Sequence, residues 1–377
     1  MSRKQFLILI AALVVLGGAG LLLFWQDYSA YRDSGTKIGA PLLPNLKVAD
    51  VAEIRLQDDK KTATLQRKEN TWVVTERGGY PANVAAISAL MVKLIELKIT
   101  QSEQVAAKLY PRLNLGEPGT GEGAGTAMEF KDAAGKSLAR IILGKKVLKK
   151  DPVNPLPGAR DGVPAGRYVL PPEAKDRVVA VSDPLNAAGA DPAKWLKENF
   201  FKPERIRTLS AGPEGRAPQW RITRKEEWGQ WRFANGGNLN ATAAVTAANK
   251  LGTLRFADVV PDPGSDPVHQ GTVVVAETFD NLTYRVRIAK RKAGDDYQVS
   301  FTLSGTPPRK RVPEKGEKPE DKAQRDKDFA ESLKALEERI ASEKALAKWT
   351  YVIASNEVEP LLKSRAEMTA AKDANKK

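Results

Sequence analysis

Residues 72–100 read WVVTERGGYPANVAAISALMVKLIELKIT, and the spacing of their apolar residues changes part of the way along. Trp72-Val73-Val74 is typical of a strand, and Gly78-Gly79 predicts a turn. Asn83 can cap a helix after that turn, because the following apolar residues recur at steps of three and four. These residues are Val84, Ile87, Met91 and Leu94. The segment therefore predicts a strand, a turn and a long helix.

The same order of features recurs in the second half of the chain. Trp231-Arg232-Phe233 takes the place of the first strand, and Asn240 takes the place of Asn83. The two helices align without a gap, because the separation in sequence between Asn83 and Asn240 equals the separation between the final leucines, Leu94 and Leu251. A hairpin and further strands follow each helix, so we predict two tandem repeats.

Each predicted repeat combines antiparallel strands with one long helix. This combination predicts an α+β fold, in which an N-terminal transmembrane helix precedes the two repeats. The predicted boundaries are a cytoplasmic tip at 1–4, an anchor at 5–25, a linker at 26–45, a first repeat at 46–195 and a second repeat at 196–377.

The first thirty residues predict a membrane anchor. An apolar run covers residues 6–25, and about 20 residues of helix span the roughly 30 Å of a bilayer core. The anchor residues are Phe6, Leu9, Leu13, Leu16, Leu22 and Trp25. The alternative is a cleaved signal peptide, whose apolar region would be about 7–15 residues long. Arg3 and Lys4 favour a cytoplasmic N terminus, so we expect a bacterial inner-membrane protein with most of its chain in the periplasm.

The composition argues against most catalytic chemistry. The 377 residues include no cysteine and one histidine, His269, which excludes disulfides and thiolate catalysis and leaves little scope for imidazole catalysis. The glycines within 119–125 lack the flanking strand and helix of a dinucleotide-binding motif, so they predict a flexible loop. We therefore expect no catalytic residue, no cofactor and no metal site. An envelope hydrolase with paired carboxylates stays as an alternative.

The net charge of +14 needs a separate interpretation. Nucleic acid is not expected as a partner, because the sequence lacks a basic helix or a strand with interleaved aromatic residues. The first interpretation of the excess charge is generic surface charge that keeps the domain soluble. The alternative is attraction of an outward-facing basic domain to anionic lipid headgroups or envelope polysaccharide.

A charged insertion at 305–348 distinguishes the second repeat. Its first part is rich in proline and lysine and predicts a solvated linker, and a helix is predicted from about residue 326. The apolar residues on one face of that helix are Phe329, Leu333, Leu336 and Ile340. This face either docks onto its own domain or meets the helix of a partner protein.

The order of these features resembles the domain of unknown function 4340 family. The resemblance lies in YPANVAAISALMVKL, KLYPRLNLG, LARIILGKK, GRYVL and KWTYVIASNEVEPLL, and it covers most of residues 46–365. It implies an accessory envelope component of an ABC-type exporter similar to the gliding-motility transporter, and it implies no catalytic residue. The insertion at 305–348 and the glycine-rich loop at 116–125 depart from the family pattern.

The sequence thus predicts a non-enzymatic, membrane-anchored extracytoplasmic scaffold protein. Its expected partners are the inner membrane and the permease or auxiliary subunits of an ABC-type transporter. One alternative is a module that binds envelope polysaccharide or lipid, which predicts a basic, aromatic-lined cleft between the repeats. The hydrolase alternative predicts convergent carboxylates, at least one of them with a raised pKa.

Overall fold

The computed structural model describes residues 38–69, 71–149, 162–171, 176–261, 271–292, 294–313 and 317–370. The predicted anchor at 5–25, with Phe6, Leu9, Leu13, Leu16, Leu22 and Trp25, lies outside these ranges, as does His269. No helix within the described ranges has the length and apolar character needed to cross a membrane.

The first sheet has nine strands. They are β1 (Glu53–Gln57), β2 (Thr62–Lys68), β3 (Thr71–Val74), β4 (Tyr80–Pro81), β5 (Ile99–Gln104), β6 (Thr126–Lys131), β7 (Ser137–Lys149), β8 (Val163–Leu170) and β9 (Arg177–Val181). Their order in the sheet is β4-β3-β2-β1-β6-β7-β8-β9-β5. The pairings from β1 through β6, β7, β8 and β9 to β5 are all antiparallel. Helix α1 (Val84–Glu96) connects β4 to β5.

The second sheet has eight strands. They are β10 (Ile206–Pro213), β11 (Trp220–Thr223), β12 (Arg232–Phe233), β13 (Asp258–Val259), β14 (Thr272–Thr278), β15 (Leu282–Lys290), β16 (Tyr297–Gly305) and β17 (Tyr351–Ile353). Their order is β12-β11-β10-β14-β15-β16-β17-β13, with antiparallel pairing throughout. The helices of this part are α2 (Ala241–Leu251), α3 (Pro319–Leu346) and α4 (Ser355–Val358).

Short 3-10 helices complete the described secondary structure. They are Val48–Asp50, Thr75–Arg77, Ala107–Leu113, Pro192–Trp195 and Glu359–Leu361. By its internal contacts the chain divides into two compact units. The first unit holds the described residues up to 62 together with 85–190, and the second holds 63–84 together with the described residues from 191 onward. The repeat boundaries at 46–195 and 196–377 stay predictions.

The predicted α+β class, in which each of two repeats combines antiparallel strands with one long helix, is wrong. The described residues are mostly β-sheet, with seventeen strands in two large sheets and only three α-helices longer than four residues. The sequence pattern concealed several strands. In β5, for example, only Ile99 is buried among six residues, so the alternation that marks a strand is absent.

The two sheets share one topology. Removing the edge strand β4 from the first sheet leaves β3-β2-β1-β6-β7-β8-β9-β5, and each position has a counterpart in β12-β11-β10-β14-β15-β16-β17-β13. In both cases the single central helix, α1 or α2, directly precedes the strand at the opposite edge, β5 or β13.

The helices bury one stripe each. Helix α1 buries Ile87, Leu90, Met91 and Leu94, a spacing that places them on one face. Val84, which the sequence pattern placed on this face, is 46% exposed, and Leu90 takes part in its place. The stripe therefore begins one turn later than the pattern suggested.

Large aromatic side chains fill the core of the second unit. The rings of Phe200 and Tyr351 have centroids 4.4 Å apart, and those of Phe201 and Phe301 are also 4.4 Å apart. Trp220 is 1% exposed, and its indole N–H donates to the carbonyl of Lys363 at 2.7 Å. Buried aromatic pairs of this kind contribute roughly 0.5–1.5 kcal/mol beyond their buried area.

Replacement of the α2 cap tests the local stability of the second unit. The Asn240 side chain accepts a hydrogen bond from the Ala243 N–H at 3.0 Å, which satisfies a donor that the helix itself leaves open. We expect Asn240→Ala to lower the free energy of unfolding by about 1 kcal/mol, as measured by chemical denaturation. Asn249→Ala, at an exposed position of the same helix, is the control and should lower it little or not at all. Equal losses in the two variants would contradict the capping role.

Candidate partner-binding groove

Helix α3 is buried at its C-terminal end. Ile340, Glu343 and Leu346 are its buried residues, and they recur every three residues along one face. The hydroxyl of Tyr351 donates to the carbonyl of Leu346 at 2.7 Å, and the helix packs against β16. The turns before Ile340 contain no buried residue. The helix is therefore held mainly by its last turns.

A buried carboxylate provides the central polar contact of this end. Glu343 is 3% exposed, and the Tyr284 hydroxyl donates to its Oε2 at 2.7 Å. The backbone N–H of Lys202 donates to Oε1 at 3.1 Å. Both oxygens thus have partners from the body of the unit, as a buried polar group requires.

Burial governs the ionisation of this contact. Desolvation raises the pKa of Glu343, although the bonds from Tyr284 and Lys202 and the charge of Arg339 act in the opposite direction. Burial also raises the pKa of Tyr284, and the neighbouring Glu343 adds to that rise. The Arg339 Nε lies 3.8 Å from Glu343 Oε1, and Arg339 also pairs with Glu204.

The earlier turns of α3 border an open groove of about 670 Å³. Its other walls come from the β14–β15 turn and from the segment that follows β16. The apolar residues that line it are Phe279, Pro307, Pro308, Val312, Phe329, Leu333, Ala335 and Leu336. Val312 is 86% exposed, so the groove presents apolar surface to the surroundings.

The arginines and carboxylates of the groove pair with each other or with close neighbours. Arg205 bonds to Asp280 and, at 2.8 Å, to Glu227, while Arg339 bonds to Glu204. Arg311 lies 2.8 Å from a carboxylate oxygen of Asp326 and contacts Glu317 at the same distance. Since these arginines already have counter-charges, the arrangement favours an apolar occupant over a small ion.

The structure separates the four residues predicted for the partner helix. Phe329, Leu333 and Leu336 are half-buried and line the groove, whereas Ile340 is 7% exposed and belongs to the anchored end. Sequence reasoning missed Phe279, which lies in the β14–β15 turn far from the helix in the chain, and it treated Pro307, in the segment just before the helix, as part of a solvated linker. It also missed Glu343, because a glutamate on a highly charged helix gives no signal of burial.

The tryptophans relevant to polysaccharide binding and the carboxylate relevant to hydrolysis differ in their burial. Trp220 lies in the core, whereas Trp72 and Trp231 are half-buried. Glu343 has a raised pKa, yet it does not line the groove, and both of its oxygens bond to the protein. Its geometry is that of an anchoring group.

Two antiparallel sheets with a shared topology and an apolar groove beside an inserted helix define a β-sheet protein with a candidate interaction surface. The chain belongs to the family described as domain of unknown function (DUF4340), whose sequence model matches residues 72–272, more than half of the chain. This match confirms the resemblance seen in the sequence. No curated protein and no solved structure matches the chain.

The anchoring role of Glu343 can be measured with two substitutions. We expect Glu343→Ala to lower the free energy of unfolding by about 1–3 kcal/mol, because it leaves the Tyr284 hydroxyl and the Lys202 N–H without an acceptor. Glu343→Gln retains an acceptor oxygen and should lose less. Chemical denaturation of the full chain in mild detergent measures both. Glu338→Gln, at an exposed position of α3, is the control and should change the free energy of unfolding little. An effect of Glu343→Ala as small as that of the control would contradict the anchoring role of Glu343.

The same contact predicts a pH dependence. The pKa of Glu343 is raised from 4.5, so between that value and the folded pKa the folded protein binds more protons than the unfolded chain. Stability from this group is therefore greatest below 4.5 and is lost as the pH rises through the folded pKa. The stability of the wild type minus that of Glu343→Gln should decrease as the pH rises above 4.5 and through the folded pKa. The groups around Glu343 are the same in both proteins, namely Arg339, Glu204, Tyr284 and Lys202, so the difference in stability isolates Glu343. A difference in stability that rises with pH would refute this assignment.

Proposed function

We propose that this chain is a non-enzymatic accessory protein of the bacterial cell envelope that binds a partner subunit in the groove beside α3. The observation that carries the proposal is the contrast along α3, which is anchored at Glu343 and presents Phe329, Leu333 and Leu336 to an open groove. A surface of this kind supports an interaction with another apolar element.

The occupant that fits best is an apolar helix of the partner. Phe329, Leu333 and Leu336 recur at steps of four and three, which is the spacing by which one helix packs against another. The groove carries four basic residues, Arg205, Lys310, Arg311 and Arg339, against two acidic ones, Glu204 and Asp280. The three arginines have carboxylate partners, whereas Lys310 has none among the described residues, so an occupant with one acidic residue beside its apolar face would complement this rim.

The place of the protein in the cell rests on its sequence. The apolar run at 6–25 would anchor it in the inner membrane, with the bulk of the chain in the periplasm. The family resemblance supports an ABC-type exporter as the complex, and its permease or auxiliary subunit as the source of the helix. The protein would then act as a scaffold on the outer side of that complex.

Affinity purification of the tagged full-length protein from gently solubilised membranes tests this proposal. We expect mass spectrometry to identify the permease and ATPase of one ABC exporter. The double variant Phe329→Ser/Leu333→Ser should reduce their recovery about tenfold or more, because each buried apolar side chain contributes roughly 1.5–3 kcal/mol. Lys334→Ser, an exposed position next to Leu333, is the control and should retain them. Full recovery with the double variant would rule out the groove as the contact.

A second candidate function is binding of anionic polysaccharide or lipid, which a different surface favours. The Arg224 guanidinium lies 4.8 Å from the ring centroid of Trp231, and Arg224 and Arg232 both line a cavity of about 380 Å³. Trp228, in the same connection, is 93% exposed. Basic and aromatic groups together suit an anionic glycan or a headgroup. Recovery of the protein with bound glycan or lipid and without transporter subunits would favour this function.

A further inference from the structure

A second cavity, of about 290 Å³, lies within the first unit. It is open to solvent and its walls are mainly polar. They come from the turn after β1, the loop before β6, and strands β7 and β8. The residues that matter for a ligand are Asp58, Asp59, Asn114, Thr126 and Arg167. The volume is near the lower end of the range for small-molecule sites, about 300 Å³, which suits one or two sugar units.

Arg167 gives this cavity a positive charge without a carboxylate partner among the described residues. Its Nε donates to the carbonyl of Gly144 at 2.8 Å, and its Nη1 lies 3.5 Å from the carbonyl of Leu185. Burial lowers its pKa, yet an arginine remains protonated at physiological pH. Arg77 and Arg140, by contrast, bond to Asp258 and Glu117. The remaining donors of Arg167 are therefore available to an oxyanion.

The surrounding backbone holds the cavity in shape. A shift in the β7–β8 register between Leu143 and Lys146 accompanies the bond from Arg167 to the Gly144 carbonyl. A side chain at Gly144 would lie 2.5 Å from the Leu113 carbonyl, so only glycine permits this close approach. The Gly119 N–H donates to Asp59 Oδ1 at 2.7 Å, which ties the glycine-rich loop to the turn after β1.

The opposite wall carries two aspartates, Asp58 and Asp59, beside the exposed Lys60. Asp58 accepts the backbone N–H groups of Lys60 and Lys61 at 2.8 Å through Oδ1, and Asp59 uses its own Oδ1 for Gly119. The second oxygen of each carboxylate can accept a hydrogen bond from a ligand. A simple anion would be repelled by these aspartates, and a neutral sugar would leave the charge of Arg167 without a counter-charge. A ligand that carries both a carboxylate and hydroxyl groups satisfies both walls.

We propose that this cavity binds a sugar acid, with the ligand carboxylate on Arg167 and ligand hydroxyls on Asp58 and Asp59. Asn114 and Thr126 supply further polar groups for the sugar ring. The ligand is either a free sugar acid or one unit of an acidic envelope polysaccharide. This site lies in the first unit and does not depend on the groove proposed for the partner subunit.

Isothermal titration calorimetry of the full chain in mild detergent tests the proposal, with D-glucuronate as the probe. The controls are D-glucose, which has the hydroxyl groups without the carboxylate, and acetate, which has the carboxylate without the hydroxyl groups. We expect glucuronate to bind at least about tenfold more tightly than either control, since losing the carboxylate or the hydroxyls removes about 1.4 kcal/mol or more. An oligoglucuronate that binds about tenfold better than the monomer would identify the polysaccharide as the source, and equal affinity would identify the free acid.

Variants separate ligand recognition from folding. Arg167→Gln should weaken glucuronate binding about tenfold or more and leave the affinity for glucose unchanged, whereas Arg177→Gln, a half-buried arginine of β9 outside the cavity, should bind as the wild type does. Asn114→Gly keeps the backbone, whose φ is 52°, removes the amide and should weaken both sugars about equally. If Arg167→Gln does not fold, Asn114→Gly decides. Equal binding of glucose and glucuronate, unchanged binding by the folded variants, or no binding up to about 10 mM would overturn the proposal.

Discussion

The buried contact between Glu343 and Tyr284 is the interaction on which the candidate groove depends. A carboxylate that is 3% exposed loses most of its hydration, and that loss is tolerable only where donors replace the water. Tyr284 on β15 and the Lys202 N–H supply those donors, so the C-terminal end of α3 has one well-defined position on the unit. Because nothing comparable buries the earlier turns, Phe329, Leu333 and Leu336 line an open groove instead of a closed core.

The shared topology of the two sheets shows that helix α3 lies in a connection that is much longer in the second sheet than in the first. In the first sheet β8 and β9 are joined by the short connection 171–176, and the corresponding strands of the second sheet, β16 and β17, are joined by residues 306–350. Helix α3 lies in that longer connection. The family match ends at residue 272, so the helix lies outside the matched range. The common sheet therefore provides the support, and the inserted helix provides the surface by which this chain could recognise its own partner.

Sequence patterns revealed the regular parts of the fold and missed the parts that arise only in three dimensions. The Asn240 cap and the strand at Trp72-Val73-Val74 could be recognised because their signals are local. The edge strand β5 could not, since it buries a single residue. The fold class was misjudged because one long helix was given the same weight as a sheet of eight or nine strands. The groove could be predicted only in part. The stripe of Phe329 and Leu333 is a local pattern, whereas Phe279 joins it from the distant β14–β15 turn.

The two candidate sites use charge in opposite ways, and this difference indicates what each can bind. In the groove, Arg205, Arg311 and Arg339 already have carboxylate partners, so a small anion would gain little there and apolar contact must supply the affinity. In the cavity of the first unit, Arg167 bonds only to carbonyl groups within the described chain, so its charge is compensated only when an oxyanion arrives. An apolar helix and a hydroxylated acid therefore suit different parts of this protein, and the binding of one can be abolished without loss of the other.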